Sequence, residues 1–314
     1  MSLAEAIKRE ARSLGFDAVG IAAVPPAHSS SSGLLDRLEA WLRRGYHGTM
    51  SWMARNPRCR ADPQSVLSGC RSMIAVGMNY DTGHRPREGP GYGRIARYAW
   101  GEDYHNVLSP RLSRLEEYIR SLAPDAETKS YVDTGPIMEK YWAQQAGLGW
   151  IGKHSNLVSA EHGSWLLLGE VLTTLELSPD APGSDLCGSC SLCIQACPTG
   201  AIAEPYVVDA NRCVSYVTIE YRGPRKELPE ELTHRMGARI FGCDDCLDVC
   251  PFNLRAEPTS EPAFRPSPAT SAPILDQLAR LDEPAFTKLF RDSPIRRAKF
   301  QGFQRNIAIA KANQ

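Results

Sequence analysis

Eight of the ten cysteines in this 314-residue chain lie between Cys187 and Cys250. The first run reads Cys187-x2-Cys190-x2-Cys193-x3-Cys197-Pro198, and the second reads Cys243-x2-Cys246-x3-Cys250-Pro251, with Cys213 upstream of it. A cubane of iron and sulfide needs one thiolate per iron. Spacings of two let a short loop present three sulfurs to one cubane, and a further Cys followed by Pro leaves that loop for a second one. Two such runs, crossing over, predict two 4Fe-4S clusters. Cys187, Cys190, Cys193 and Cys250 are expected to hold one, and Cys197, Cys213, Cys243 and Cys246 the other. Zinc held by two Cys pairs would leave the third Cys of the first run and the Cys-Pro endings without a purpose. The two remaining cysteines read differently: Cys70 as a small residue ahead of a strand, and Cys59 as an exposed thiol with no evident partner.

Composition narrows the compartment and the partners. Lys plus Arg equals Asp plus Glu at 36 each, so no global field draws the chain to nucleic acid or membrane, and any such contact must come from a local patch. The start, MSLAEAIKREARSLG, has no apolar signal core, and no run is long enough to cross a bilayer. Clustered Cys without a secretory signal points to metal in a reducing compartment. The expectation is a cytoplasmic protein of roughly two domains, monomeric for want of an apolar heptad or stripe.

Along the chain, Ser2 and Glu5 fit a capping box opening a helix over 2–14, with Gly15 at its end. Phe16–Ala22 reads as a strand, the four serines Ser29–Ser32 as a surface turn, Leu34–Arg44 as a helix and Met73–Tyr80 as a buried strand. Residues 94–105 mix aromatic and charged groups without a clean period, fitting either an irregular packed loop or the lining of a site for a large, partly polar ligand. Leu108, Leu112, Leu115, Ile119 and Leu122 then repeat at helical spacing. A strand at Thr128–Val132 runs into Asp133-Thr134-Gly135-Pro136 and a helix to about Ala146. Asp133 is either that helix's N-cap or, if Thr134 caps, a free carboxylate. Gly147-Leu148-Gly149-Trp150-Ile151-Gly152 matches G-x-G-x-x-G, yet it follows a helix, whereas a dinucleotide fingerprint follows a strand. Lys153–Ser159 and Ser164–Leu175 read as strands joined by a turn at His162. Five prolines from Pro258 to Pro273 suggest a linker, with short helices beyond. From Ser293 onward there are five basic residues and no acidic one, a local patch suited to RNA or phosphate.

Asp133-Thr134-Gly135-Pro136, Gly149-Trp150-Ile151-Gly152-Lys153, the cysteine pattern with Cys213-Val214-Ser215, and Gln304-Arg305-Asn306 together resemble the epoxyqueuosine reductase family, from the first helix to the last residues. The resemblance implies an α/β (α+β) cobalamin-binding catalytic domain with a mixed sheet over 1–180. A ferredoxin-like domain with two 4Fe-4S clusters would follow over 181–256, then a Pro-rich linker and a short α-helical, HEAT-like region over 257–314. It implies removal of the epoxide oxygen of epoxyqueuosine at the wobble position of tRNA, with Asp133 as proton donor. Cobalamin contacts would fall on Arg60, Ala96, Arg97, Asp133, Ser155, Asn156, Leu157, Leu168 and Ser215. The tRNA anticodon stem-loop would meet Arg296, Arg297, Lys299, Arg305 and Asn306. The chain runs only a few residues past Asn306, where many members continue into further helical repeats, so a weaker or differently built grip on tRNA is expected.

Losing an epoxide oxygen as water consumes two electrons and two protons. Side chains supply no electrons, so cofactors must, fed by an unidentified low-potential donor. A carboxylic acid near the oxygen would neutralise the developing alkoxide. The sequence has no Asp-x-His-x-x-Gly, so cobalamin without a protein imidazole on cobalt is expected. Two other readings compete. A cobalamin-dependent reductive dehalogenase usually carries an export signal and has no need of a basic tail. A two-cluster electron-transfer subunit has no need of the 186 residues that precede Cys187.

Overall fold

The computed structural model describes residues 2–26 and 33–314; the serine turn expected at Ser29–Ser32 lies outside the described residues. Helix α1 (Leu3–Ser13) starts where Ser2 Oγ accepts the Glu5 N–H at 3.2 Å. It buries Ile7 and Ala11, the apolar stripe its sequence spacing supplies. Strand β1 (Ala18–Ala23) follows, then α2 (Leu34–Arg43), β2 (Ser72–Asn79), α3 (Tyr104–Leu122), β3 (Thr128–Tyr131), α4 (Glu139–Gln145) and β4 (Leu166–Thr173).

These four strands form one sheet in the order β1-β2-β4-β3. All eight residues of β2 are buried, because it is central and covered on both faces. Ile74, Val76 and Met78 meet Leu108, Leu112 and Leu115 of α3 on one face. Met73 and Ala75 meet Trp142 and Ala143 of α4 on the other, the period-2 alternation of a strand.

The mixed sheet expected from the sequence is corrected: every neighbouring pair in the main sheet is antiparallel. The helix-linked strands β2 and β3 do run parallel, as a crossover unit requires, but they are not neighbours. β4 fills the slot between them, antiparallel to both. The only parallel pairing described is a short one, Arg239–Phe241 with Arg94–Ile95.

Two further expectations change. Lys153–Ser159 is not one strand. Trp150–Ile151 pairs with Leu157–Val158, and the residues between make a tight turn, with Ser155 at φ 65° and the Gly152 N–H bonded to Asn156 O at 2.8 Å. The glycine-rich stretch serves this turn: a Cβ on Gly149 would lie 2.1 Å from the Val158 carbonyl oxygen, so backbone packs on backbone with no room for a side chain. The proline-rich stretch is likewise no free linker. Phe264 is buried in the core of the α1–α3 layer, Arg111 Nη2 donates to Glu261 at 2.6 Å, and Thr270 Oγ1 donates to the Trp100 carbonyl at 2.7 Å.

Beyond β4 lie helix α5 (Val214–Ile219) and, at the end, α6 (Leu275–Ala279), α7 (Glu283–Leu289) and α8 (Lys299–Ala312). Phe286, Phe290 and Phe303 pack with centroids 5.2–5.3 Å apart on a core shared with Trp100 and Phe241, each such ring contributing ~1.5–3 kcal/mol of burial. Among the described residues no helix is long and apolar enough to cross a membrane.

Candidate active site

A cleft of about 1170 Å³ opens between these layers. Nine residues singled out by the sequence line it: Arg60, Asp133, Asn156, Leu157, Leu168, Ser215, Arg296, Arg297 and Lys299. Asp133 stands two residues past β3, with φ 57°. Helix α4 begins only at Glu139, with Met138 as its cap, so Asp133 is not an N-cap. Its Oδ2 instead accepts the Tyr104 hydroxyl at 2.9 Å, and its N–H donates to Glu139 Oε1 at 2.5 Å.

Tyr104 and His105 belong to the 94–105 stretch read as either a packed loop or a site lining, and both line the cleft; Glu139, Lys140 and Glu170 escaped the sequence reading. Tyr104 stacks on His105 with ring centroids 4.2 Å apart. Burial and the Asp133 charge push the Tyr104 hydroxyl far above its ordinary pKa, so it stays a donor. His105 Nδ1 lies 2.7 Å from Asp103 Oδ1; that hydrogen bond raises the imidazole pKa against the effect of burial. Lys140 Nζ donates to Asn156 Oδ1 at 2.7 Å and to the Ser155 carbonyl at 3.3 Å. The open cleft leaves Lys140 touching solvent, yet the protein packed around it lowers the ammonium pKa, against the pull of Glu139 and Asp133. Burial, then the Asp133 charge, pushes Glu139 up to about 7. Glu170, an acid in the middle of the apolar strand Leu166–Thr173, was the one legible signal among these, and it is 2% exposed.

Five expected contacts lie elsewhere. Ala96 and Arg97 line a separate recess with Asp244. The Arg97 guanidinium pairs with Asp248 and Asp244 and sits 4.8 Å from the Trp165 ring centroid, so its charge is used inside the protein. Arg305 Nη1 donates to the carbonyls of Tyr221 and Gly223, and Nη2 to that of Val217, at 2.6–2.9 Å. Asn306 is fully buried and donates to Thr218 and Ile240 carbonyls. Neither Arg305 nor Asn306 is free to meet RNA; both tie α8 to α5 and its neighbours. Ser155 is off the cleft wall as well; its Oγ donates to the Tyr206 carbonyl at 2.8 Å.

Cys187, Cys190, Cys193 and Cys250 line one cavity of about 170 Å³ together with Trp150 and Phe252. Trp150 Nε1–H donates to Cys187 Sγ at 3.4 Å, and Lys153 Nζ bonds the carbonyls of Gly188 and Cys190 at 2.6 and 2.8 Å. Burial, then the charges of Cys187 and its neighbours, raises the Cys193 and Cys250 thiols. Cys213, Cys243 and Cys246 are raised by burial and by charge within a group that includes Cys197. Thiols crowded in fours, where a bare thiolate is penalised, suit a donor set that shares its charge with iron. The cleft, too, suits a large ligand with polar edges. It exceeds the usual 300–1,000 Å³ of small-molecule pockets, and His105 Nε2 and Ser164 Oγ on its wall are buried without a partner among the described residues.

Comparison with known proteins agrees with this geometry. The family model described as epoxyqueuosine reductase QueG, DUF1730, matches residues 60–134, and the 4Fe-4S double cluster binding domain matches residues 186–253. The epoxyqueuosine reductase of Synechocystis sp. is 44% identical, over 94% of this chain and 99% of its own. That of Escherichia coli is 42% identical, over 99% of this chain and 81% of its own. A crystal structure of epoxyqueuosine reductase with an epoxyqueuosine-modified tRNA-Tyr stem loop superposes with a TM-score of 0.90 at 32% identity, covering 98% of this chain and 80% of that one. A Bacillus subtilis epoxyqueuosine reductase whose aspartate-bearing catalytic loop is swung out of the active site has a TM-score of 0.89 at 31% identity, covering 98% and 81%. With relatives this similar along nearly its whole length, the chain belongs to the epoxyqueuosine reductase family.

Proposed function

We propose that this cleft reduces epoxyqueuosine to queuosine at the wobble position of tRNA, with Asp133 as the proton donor. The observation that carries the reading is the Asp133 carboxylate on the wall of a cleft of about 1170 Å³, held by the Tyr104 hydroxyl at 2.9 Å. Cobalamin would occupy the cleft against Arg60, Asn156, Leu157, Leu168 and Ser215. Cys187, Cys190, Cys193 and Cys250 would hold one 4Fe-4S cluster, and Cys197, Cys213, Cys243 and Cys246 the other. When bound, these cofactors would supply the two electrons that the reduction consumes. Cys213 and Cys246 would bring the second cluster to the cleft side, because Ser215 and Leu247 beside them line the cleft.

The protein's own part is to place the substrate and move a proton. Asp133 would protonate the departing oxygen, help worth typically ~10²–10⁴-fold in rate. Arg296 and Lys299 on the cleft rim have no ion pair among the described residues, whereas Arg297 chelates Glu220 through two bonds of 2.8 and 3.1 Å. Lys299 also opens α8, whose amino end favours anions. The rim would take anticodon phosphates while the wobble base, unstacked in its loop, enters the cleft. The three-part division at 180 and 256, the HEAT-like character of α6–α8, a cytoplasmic location and an unidentified low-potential electron donor belong to the same reading.

The test is Asp133→Asn in anaerobically reconstituted enzyme with an epoxyqueuosine-modified stem-loop. Iron and cobalamin content should stay unchanged while turnover falls ~10²–10⁴-fold. Full activity would overturn the role of Asp133.

A further inference from the structure

Asp133 enters the cleft on backbone that needs an anchor. Its φ of 57° is a left-handed conformation for a residue with a Cβ, and it begins a seven-residue approach to α4, over 133–139. The anchor is Glu139, whose Oε1 accepts the Asp133 N–H at 2.5 Å. Behind Glu139 stands Glu170, on the face of β4 that α4 covers. Glu170 is 2% exposed, and neither of its carboxyl oxygens has a donor among the described residues. The two carboxyl groups are close enough to act on one another's protonation.

Two ionised carboxylates that close, one wholly buried and a third nearby at Asp133, repel one another. Only Lys140 opposes them, and its ammonium is bonded to Asn156 and the Ser155 carbonyl. Of the other titratable groups, Tyr131 stands opposite Glu170 on the neighbouring strand, and Tyr104 and His105 lie on the Asp133 side and are felt only weakly. One proton resolves the conflict. Placed on Glu170, it gives the buried carboxyl a hydrogen bond to make and leaves Glu139 Oε1 free to accept the Asp133 N–H.

We propose that Glu139 and Glu170 share a single proton, and that the singly protonated pair is a positioning latch that keeps Asp133 facing the cleft. The inference rests on the reading of Asp133 as the acid. A loop of this kind has somewhere else to go, since the corresponding loop is swung out in a Bacillus subtilis relative. Burial and the Asp133 charge raise Glu139 to about 7, and burial and the Glu139 charge raise Glu170 well above its ordinary value, so the latch is closed at neutral pH and opens as the proton leaves.

The holoenzyme, with both clusters and cobalamin, should show an infrared carbonyl band of a protonated carboxylic acid that shifts in D2O and is lost as the pH is raised. Glu170→Gln and Glu139→Gln, which replace the shared proton with an amide hydrogen, should each lose that band. Both should keep their cofactors and kcat, and should lack the alkaline fall in kcat that the unsubstituted enzyme shows. Glu139→Ala should lower kcat about tenfold with KM for the stem-loop unchanged, a cost in line with one charge-assisted hydrogen bond. A missing band, a band that survives both Gln variants, or an alkaline limb unchanged in both would overturn the latch. Asp133→Asn keeps the two questions apart: full activity in that variant removes the acid, while persistence of its infrared band leaves the shared proton standing.

Discussion

The Tyr104 hydroxyl donates to Asp133 Oδ2 at 2.9 Å, joining the first residue of α3 to the loop that leaves β3. Two side chains 29 positions apart thus meet because β3 brings the chain back to the edge of the cleft at which the crossover helix starts. Burial and the Asp133 charge keep the phenol protonated across the working pH range. Tyr104→Phe should therefore lower kcat ~10–100-fold, the worth of a hydrogen bond to a charged group, while KM for the stem-loop changes little. Steady-state kinetics on cofactor-replete enzyme checks this, and a pure KM effect would show that Tyr104 serves substrate binding instead.

The cysteine groups make a separable prediction. Cys187 and Cys250 border one cavity although 62 residues of chain lie between them. The double variant Cys187→Ser, Cys250→Ser should lose about half of the bound iron, whereas Cys250→Ser with Cys213→Ser should disturb both clusters. Iron analysis with EPR of the reduced protein decides it; the reverse pattern would exchange Cys250 and Cys213 between the clusters.

On the rim, Arg296 and Lys299 are the cations to reverse, because reversing Arg297 would also strand Glu220. Arg296→Glu with Lys299→Glu should raise KM for the stem-loop and lower the slope of log KM against log salt by about one to two phosphate contacts. Unchanged values for both would remove the rim from RNA binding.

Arg305 should behave in the opposite way. Its guanidinium closes three carbonyls between α5 and the start of the next turn, and burial lowers its pKa. Arg305→Ala should cost roughly 2–3 kcal/mol of stability and lower Tm by several degrees, with the salt dependence of stem-loop binding intact. Calorimetry beside a binding titration distinguishes the two.

The buried pair also fixes the sign of a pH effect on stability. Glu139 rises to about 7 from an ordinary 4.5, so the folded protein binds the extra proton and gains from it fully below about 4.5. That gain is lost as pH climbs toward about 7. Tm should fall across this window in the unsubstituted protein and fall less in Glu170→Gln. Equal slopes in differential scanning at matched cofactor load would contradict it.

Features encoded over a few residues were legible in the sequence. Ser2 caps α1, the Leu108–Ile119 spacing predicts α3, and Asp133 follows a strand end. The strand at 166–173 was legible, but its place between β2 and β3 was not, because antiparallel and parallel neighbours share one apolar pattern when both faces are covered. The fate of Arg97, Arg305 and Asn306 was equally hidden: a basic or amide side chain looks the same in sequence whether it meets RNA or a carbonyl 80 residues away. Glu170 is the instructive miss. A lone acid among Leu166, Leu167, Leu168, Val171 and Leu172 is costly unless protonated or paired, and that cost was readable before its partner on α4 was known.

The slot between β2 and β3 has a consequence for how the molecule comes to be. Those strands and their helix are made first, yet they cannot touch each other until residues 166–173 arrive to lie between them. The sheet therefore closes through pairings distant in sequence, the slow kind, and the last strand to enter is the one that carries Glu170. A chain still being synthesised holds the acid loop but not its anchor, so the reactive wall of the cleft and the frame that steadies it are completed in one event.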